Sequence, residues 1–184
     1  MQIARGQNIL YDGSQLRSGW IADTFGVEGD AIAVFTGGCD VTPEHMLDLE
    51  DLQAGAMIRA KSMLHFIIEH MGVDLPLVVA RQHLLVCLAK EVIARRRNLS
   101  ELIRKGDDLF VGKRKLSISI AAVSPTSGLI HFAINVDPDG APVPAIGLRE
   151  VEINAAALGK AIAEAYVAEI ASCEHAATKV RPAR

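Results

Sequence analysis

Two apolar stretches carry polar side chains at alternate positions, and that spacing is where chemistry could gather. Along residues 115–121, Leu116, Ile118 and Ile120 share one side of an extended chain, and Lys115, Ser117, Ser119 and Ala121 share the other. Along 129–136, Ile130, Phe132, Ile134 and Val136 alternate with His131, Ala133 and Asn135. If the two apolar faces share a core, the opposite face gathers a cation, two hydroxyls, an imidazole and an amide beside small alanines. Such a face offers both room and polar handles to a small ligand. The same pattern also describes the solvated side of an antiparallel sheet. Alternation alone leaves both readings open.

Other reactive residue types are scattered. Cys39, Cys87 and Cys173 form an odd, widely spaced set without a CxxC, which argues against a disulfide framework and for a reducing, cytoplasmic setting. His45, His65 and His70 match no metal-ligand spacing, so no metal site is expected. Cys39 follows Gly37-Gly38, where a reactive thiol could be presented, but a small turn explains it better.

These side chains need elements to hold them. A short helix is expected around residues 15–25, ended by Gly26, and a buried strand over 31–35, broken by Gly37-Gly38. Thr42-Pro43-Glu44 reads as a helix start, with the helix running to Gly55. The segment 62–70 is too uniformly bulky to classify by period. A long helix over 77–95 presents Leu77, Ala80, Leu84, Leu88 and Val92 on one stripe, widened by Val86, Cys87 and Ile93. Arg95-Arg96-Arg97 at its end suits the helix dipole. A hairpin follows over 108–123, then a Ser124-to-Gly128 turn and a strand over 129–136. Asn154 caps a final helix reaching 171, with Leu158, Ile162, Tyr166 and Ile170 buried.

Composition narrows the classes. Half of the 184 residues are hydrophobic and 22 % are charged, which excludes wholesale disorder. A net charge of −3 and 4 % aromatics give neither the basic footprint nor the stacking platforms of a nucleic-acid binder. The longest uncharged run, 116–136, holds four serines, a proline, a threonine, a histidine and an asparagine, and so is no membrane span. A homodimer is the commonest assembly and is the expectation on that ground alone.

The stretch 107–135 resembles the central segment of the biotin and lipoate protein ligases. Asp107-Asp108-Leu109 stands where that family has an Asn-Asp-Leu type motif, and Gly112-Lys113-Arg114-Lys115-Leu116-Ser117 resembles its Gly-Arg-Lys segment. His131 to Asn135 is similar to its His-Gly strand, and Leu148-Arg149-Glu150 to its Ser-Leu-Arg-Glu segment. More narrowly, YDGSQL (11–16), GDDLFVGKRKLSISIA (106–121) and VSPTSGLIHFAINV (123–136) resemble a branch of that superfamily whose function is unknown. The resemblance implies an α+β fold, a mixed, largely antiparallel sheet with flanking helices. Chain length favours one domain, over 1–172, and the end, 173–184, reads as a flexible tail. The resemblance further implies an acyl ligase or acyltransferase acting on a lipoate-like carboxylate, with Lys115 as the catalytic cation. Asp107, Asp108, Arg59, Ser117, Ser119, His131 and Asn135 would bind the ligand, ATP and Mg²⁺ would serve as cofactors, and an acceptor protein would take the acyl group. One departure stands out. The Arg- and Gly-rich adenylate loop of the ligases has no counterpart in 57–66, which reads MIRAKSMLHF and holds no glycine. That favours an alternative, a non-catalytic interaction protein or one binding a carboxylate or nucleotide-like small molecule, which kept the fold without that loop.

Overall fold

The computed structural model describes residues 1–96, 99 and 101–183. The chain forms β1 (Gln2–Arg5), α1 (Trp20–Phe25), β2 (Ala31–Val41), a 3₁₀ turn (Pro43–His45), α2 (Leu49–Ala54), β3 (Ile58–Met71) and α3 (Leu75–Arg96). There follow β4 (Leu102–Lys105), β5 (Asp108–Val111), β6 (Arg114–Lys115), β7 (Ser117–Val123), β8 (Ser127–Asp137) and α4 (Ala155–Thr178). The main sheet has the order β1-β2-β3-β8-β7; β1 is parallel to β2 and every other pairing is antiparallel. A smaller sheet, β4-β5-β6, abuts it. This is the mixed, largely antiparallel α+β architecture expected.

Both faces of the main sheet are covered. Ile32, Val34, Leu64, Phe66, Ile68, Ile130, Phe132 and Ile134 pack against α3 and α4. Ala33, Phe35, Met63, Ile67 and Ala133 pack against the N-terminal segment through Tyr11, Leu16, Trp20, Ile21 and Met46. That double burial explains why 62–70 shows no period: a strand covered on both sides has no polar face.

Several elements differ from expectation. Gly37-Gly38 does not end β2; the strand continues to Val41 through an irregularity between Gly37 and Cys39. The glycines admit a crossing chain, since a Cβ on Gly37 would lie 1.8 Å from the Ile9 carbonyl oxygen. The helix begun at Thr42 is only a 3₁₀ turn, because the Thr42 side chain caps nothing, whereas Asp48 accepts from the Glu50 and Asp51 amides and starts α2. The first helix shortens to α1, since Gly19 sits at a φ of 75°. The buried stripe of α3 is rotated: Val78, Gln82, Leu85, Val86, Ala89, Val92 and Ile93 face inward, Leu77 is exposed and Cys87 is half-buried. Polar Gln82 faces inward because its amide has partners there. Arg97 of the triple arginine lies outside the described residues. Asn154 caps α4 through the Ala157 amide, and Leu158, Ile162, Tyr166 and Ile170 are buried as expected. The helix runs on to Thr178, past the expected end at 171. No helix among the described residues is long and apolar enough to cross a membrane.

Candidate functional site

A cavity of about 380 Å³ opens between the N-terminal cover and the β7 edge of the main sheet. Its walls include Met46, Met63, Ile118, Ile120, Val143 and Ala145, together with Tyr11, His131, Asn135, Lys115 and Asp108, which carry polar groups. At that volume, apolar walls with a few convergent polar groups suit a small organic ligand.

The faces are partitioned differently from simple alternation. Ser117 pairs with Ile134 and Ser119 with Phe132, so both serines stand on the helix-covered face, while Ile118 and Ile120 stand opposite Ala133 and His131 on the cavity face. The reason is the break at Leu116. Leu116 is buried in the core beneath the helices, and the regular ladder restarts at the next residue, Ser117, also on that side. At Leu116 the chain leaves the small sheet, where Lys115 pairs with Phe110, for the main sheet, where Ser117 pairs with Ile134, and this change of sheet re-aims what precedes it. Lys115 thereby reaches the cavity, which unbroken alternation would have denied it. Its backbone is fixed from two sides: its amide donates to the Pro144 carbonyl, and its own carbonyl accepts from the Ile146 amide and from Asn135 Nδ2.

Lys115 Nζ lies 2.6 Å from Asp108 Oδ2, with side chains 31 % and 20 % exposed. Asp108 Oδ1 is buried without a hydrogen-bond partner among the described residues. Burial pushes the Asp108 carboxyl up to about 6; Lys115 works against that shift, and the carboxylates of Asp107 and Asp51 add to it. Asp107 is held elsewhere: its Oδ2 accepts from Gln82 Nε2 at 2.8 Å and from the Ser119 hydroxyl at 2.9 Å. Ser119 touches the cavity rim, but its hydroxyl belongs to this Gln82–Asp107 lock. Ser117 does not line the cavity; fully buried, its hydroxyl accepts from the Leu109 amide and ties β5 to β7. Arg59 reaches the rim with Nε and Nη2 both given to Asp40 Oδ1. Of the residues expected to bind the ligand or act on it, the structure brings Lys115, Asp108, His131 and Asn135 together at the cavity, whereas Ser117 and the Ser119 hydroxyl, expected on the ligand face, belong to the scaffold.

Sequence reasoning misses the base of the site. His131 Nε2 lies 3.1 Å from His65 Nδ1, whose Nε2 lies 3.3 Å from the Gly37 carbonyl, and the Tyr11 ring stacks on His131 with centroids 3.7 Å apart. Burial pushes His65 down to about 4 and His131 well below its usual value. The signal for His65 lay in β3, where a histidine inside an apolar run needs a buried partner. Nothing in the local sequence places Tyr11. Cys39 lies under this layer, and burial pushes its thiol up to about 12, so it is no nucleophile.

The residues do not fit an adenylating site. Residues 57–66 lie in the run-up to β3 and in β3 itself, with side chains where phosphate oxygens would need to approach the backbone. Its cations are committed, Arg59 to Asp40 and Lys61 to Asp137 at 3.2 Å. The mouth adds Asp48, Glu50 and Asp51 to Asp107 and Asp108, which opposes a triphosphate. Among the described residues no three His, Cys, Asp or Glu side chains converge as a metal cage.

Comparison with known proteins agrees with the fold. The solved structure of a protein of unknown function from Pyrococcus horikoshi superposes with a TM-score of 0.94 and 39 % identity over the whole of both chains. A mutant biotin protein ligase from Aquifex aeolicus in complex with biotin gives 0.62 at 12 % identity, over 92 % of this chain and 70 % of that one. The proposed lipoate protein ligase Ta0514 of T. acidophilum with bound lipoic acid gives 0.56 at 14 %, over 90 % and 83 %. At those identities the ligases share the fold. In sequence, the chain is 37 % identical over 179 residues to the uncharacterized protein MJ0805 of Methanocaldococcus jannaschii, covering 94 % of this chain and 80 % of that one. The model of the family described as "Domain of unknown function (DUF366)" matches residues 1–181, and the chain belongs to that family, on the biotin/lipoate protein ligase fold.

Proposed function

We propose that the cavity binds a small carboxylate with its anionic end on Lys115 and its chain along Ile118, Ile120 and Met63. The observation that carries this reading is the Lys115–Asp108 pair, 2.6 Å apart in the wall of an apolar-sided cavity. A structural lysine would need only solvent. This one is two-thirds covered, and its carboxylate partner resists ionisation. An arriving ligand carboxylate can replace Asp108 on the ammonium while Asp108 takes up a proton, so the site keeps its charge balance.

Two uses of such a site differ in chemistry. The lysine hairpin supports an acyl ligase or acyltransferase that would pass its acyl group to an acceptor protein. The committed cations, acidic mouth and lack of glycines in 57–66 support binding without adenylation, and that is the reading adopted. Calorimetric titration with lipoate, octanoate and biotin, beside ATP–pyrophosphate exchange with the same acids, separates them. The expected result is binding of at least one acid and no exchange. Exchange above background would replace the binding reading with the ligase one. Lys115→Ala should weaken binding by about 1.5–3 kcal/mol through the lost charge-assisted contact. The variant should stay folded but lose about 1–3 kcal/mol of unfolding free energy, because the largely buried Asp108 carboxyl is left without its partner. Equal affinity in the variant would remove Lys115 from the site.

A further inference from the structure

We propose that His131 Nδ1 and the Tyr11 hydroxyl form a second, uncharged subsite of the same cavity, which selects a ligand whose far end carries a neutral hydrogen-bond donor. The carboxylate reading is assumed only for the other end of the ligand.

The proton positions follow from the contacts. The Gly37 carbonyl can only accept, so His65 Nε2 carries the proton of that contact. His65 Nδ1 is then a lone pair, and His131 Nε2, 3.1 Å away, must donate to it. Both rings are neutral, since burial disfavours a charge on either and a charged His65 would repel a charged His131. His131 Nδ1 is left as an acceptor of fixed direction. It has no hydrogen-bond partner among the described residues, although His131 is only 2 % exposed and lines the cavity. The Tyr11 hydroxyl shares that condition on a residue 3 % exposed, and burial keeps it protonated. Unlike Asp108 Oδ1, neither atom is fully enclosed, so both stay open to the cavity. Two such atoms on stacked rings lining one cavity offer their hydrogen-bonding capacity to an occupant.

The occupant's chemistry is narrow. A lone pair at His131 Nδ1 asks for an O–H or N–H, while Tyr11 can give or take. A carboxylate there would face that lone pair, and an ammonium would lose its hydration with no counter-charge beside it. His131 lies four residues along β8 from Asn135, which holds the Lys115 carbonyl, so the backbones that carry the two subsites are about 13 Å apart along the strand. A hydroxy- or amide-bearing acid with a medium-length chain spans them; a plain alkanoate leaves the far end unpaired.

The test compares straight-chain alkanoates of six to ten carbons with their ω-hydroxy and ω-methoxy forms, by calorimetric titration of the full chain. The ω-hydroxy acid of best-fitting length should bind about tenfold tighter than its alkanoate, and the methoxy acid no tighter, as expected where a buried acceptor gains or lacks a partner. Tyr11→Phe, which keeps the stacked ring, and His131→Phe should each reduce that preference below about threefold. Nitrogen NMR of the free protein should show His131 protonated at Nε2. Protonation at Nδ1 would overturn the assignment. Equal affinities at every length, with Lys115→Ala still weakening both acids, would overturn the second subsite and leave the carboxylate reading standing. No binding of any acid to the parent protein would overturn both.

Discussion

On the helix-covered face His70 has a protein partner for each ring nitrogen, Tyr166 Oη at 2.8 Å and Asp30 Oδ2 at 3.2 Å. On the cavity face the chain from Gly37 through His65 ends at His131 with one nitrogen open. Both histidines are buried, and burial pushes both below their usual range. The contrast extends to their neighbours. Beneath the helices, Gln82, Asp107 and Ser119 satisfy one another, and Ser117 holds the Leu109 amide. Facing the cavity, the Tyr11 hydroxyl and His131 Nδ1 have no partner among the described residues, and Asp108 next to Lys115 leaves one oxygen unpaired. One face of the sheet is closed structure. The other keeps open hydrogen-bonding capacity, which burial makes costly unless something fills it.

The cavity face depends on a crossing of two chains, and breaking that crossing has the largest expected effect. Ile9 donates to the Thr36 carbonyl, Tyr11 to the Gly38 carbonyl, and Asp40 back to the Tyr11 carbonyl. Gly37→Ala puts a methyl 1.8 Å from the Ile9 oxygen, where backbone must move. The variant should lose more than about 3 kcal/mol of unfolding free energy in urea, as for a forced clash in a packed core. It should also release Tyr11 from His131. A loss below about 1 kcal/mol would mean that the cover is not anchored at Gly37.

How much of this the sequence discloses differs between the same two faces. The helix side is legible where a local rule decides: the Asn154 cap and the stripe Leu158, Ile162, Tyr166 and Ile170 fall as periodicity says. It fails for Leu77 and Gln82, because hydropathy ranks a leucine above a glutamine and cannot see the partners that draw Gln82 inward. In the site, the residues of the motif, Lys115 and Asp108, meet at the cavity, while alternation misplaces Ser117 and Ser119. The change of sheet at Leu116 shifts the phase of the chain, and one residue of shift exchanges faces. Tyr11 and His65 meet only through the long crossing over Gly37, a contact that no local pattern encodes.

The open face also predicts a pH dependence. Binding a carboxylate on Lys115 with proton uptake by Asp108 requires the protonated form of that acid. The groups acting on Asp108 are Lys115, Asp107 and Asp51, and burial outweighs them to leave its carboxyl at about 6. Below that value the free protein already holds the proton, and affinity is flat until the ligand itself is protonated. Above it the proton must be taken from solution, so affinity falls about tenfold, or about 1.4 kcal/mol, per pH unit. Asp108→Asn should make octanoate affinity level between pH 6 and 8. A parent affinity that is itself level across that range would mean that Lys115 bridges both carboxylates without a proton.

The smallest effect tests the closed face. Ser117 stands in the same strand as the cavity residues Ile118 and Ile120, and its hydroxyl is spent on the Leu109 amide at 2.8 Å. Ser117→Ala removes that acceptor and leaves a buried N–H unpaired, for a loss of roughly 1 kcal/mol of stability. Ligand affinity should not move, because the side chain points toward the helices and away from Lys115. The measurement is a pair of numbers from one preparation, the urea midpoint and the octanoate dissociation constant. A weakened dissociation constant at unchanged stability would place Ser117 with the ligand and dissolve the division between the faces. Lost stability at unchanged affinity marks the change of sheet at Leu116 as the boundary where scaffold gives way to site.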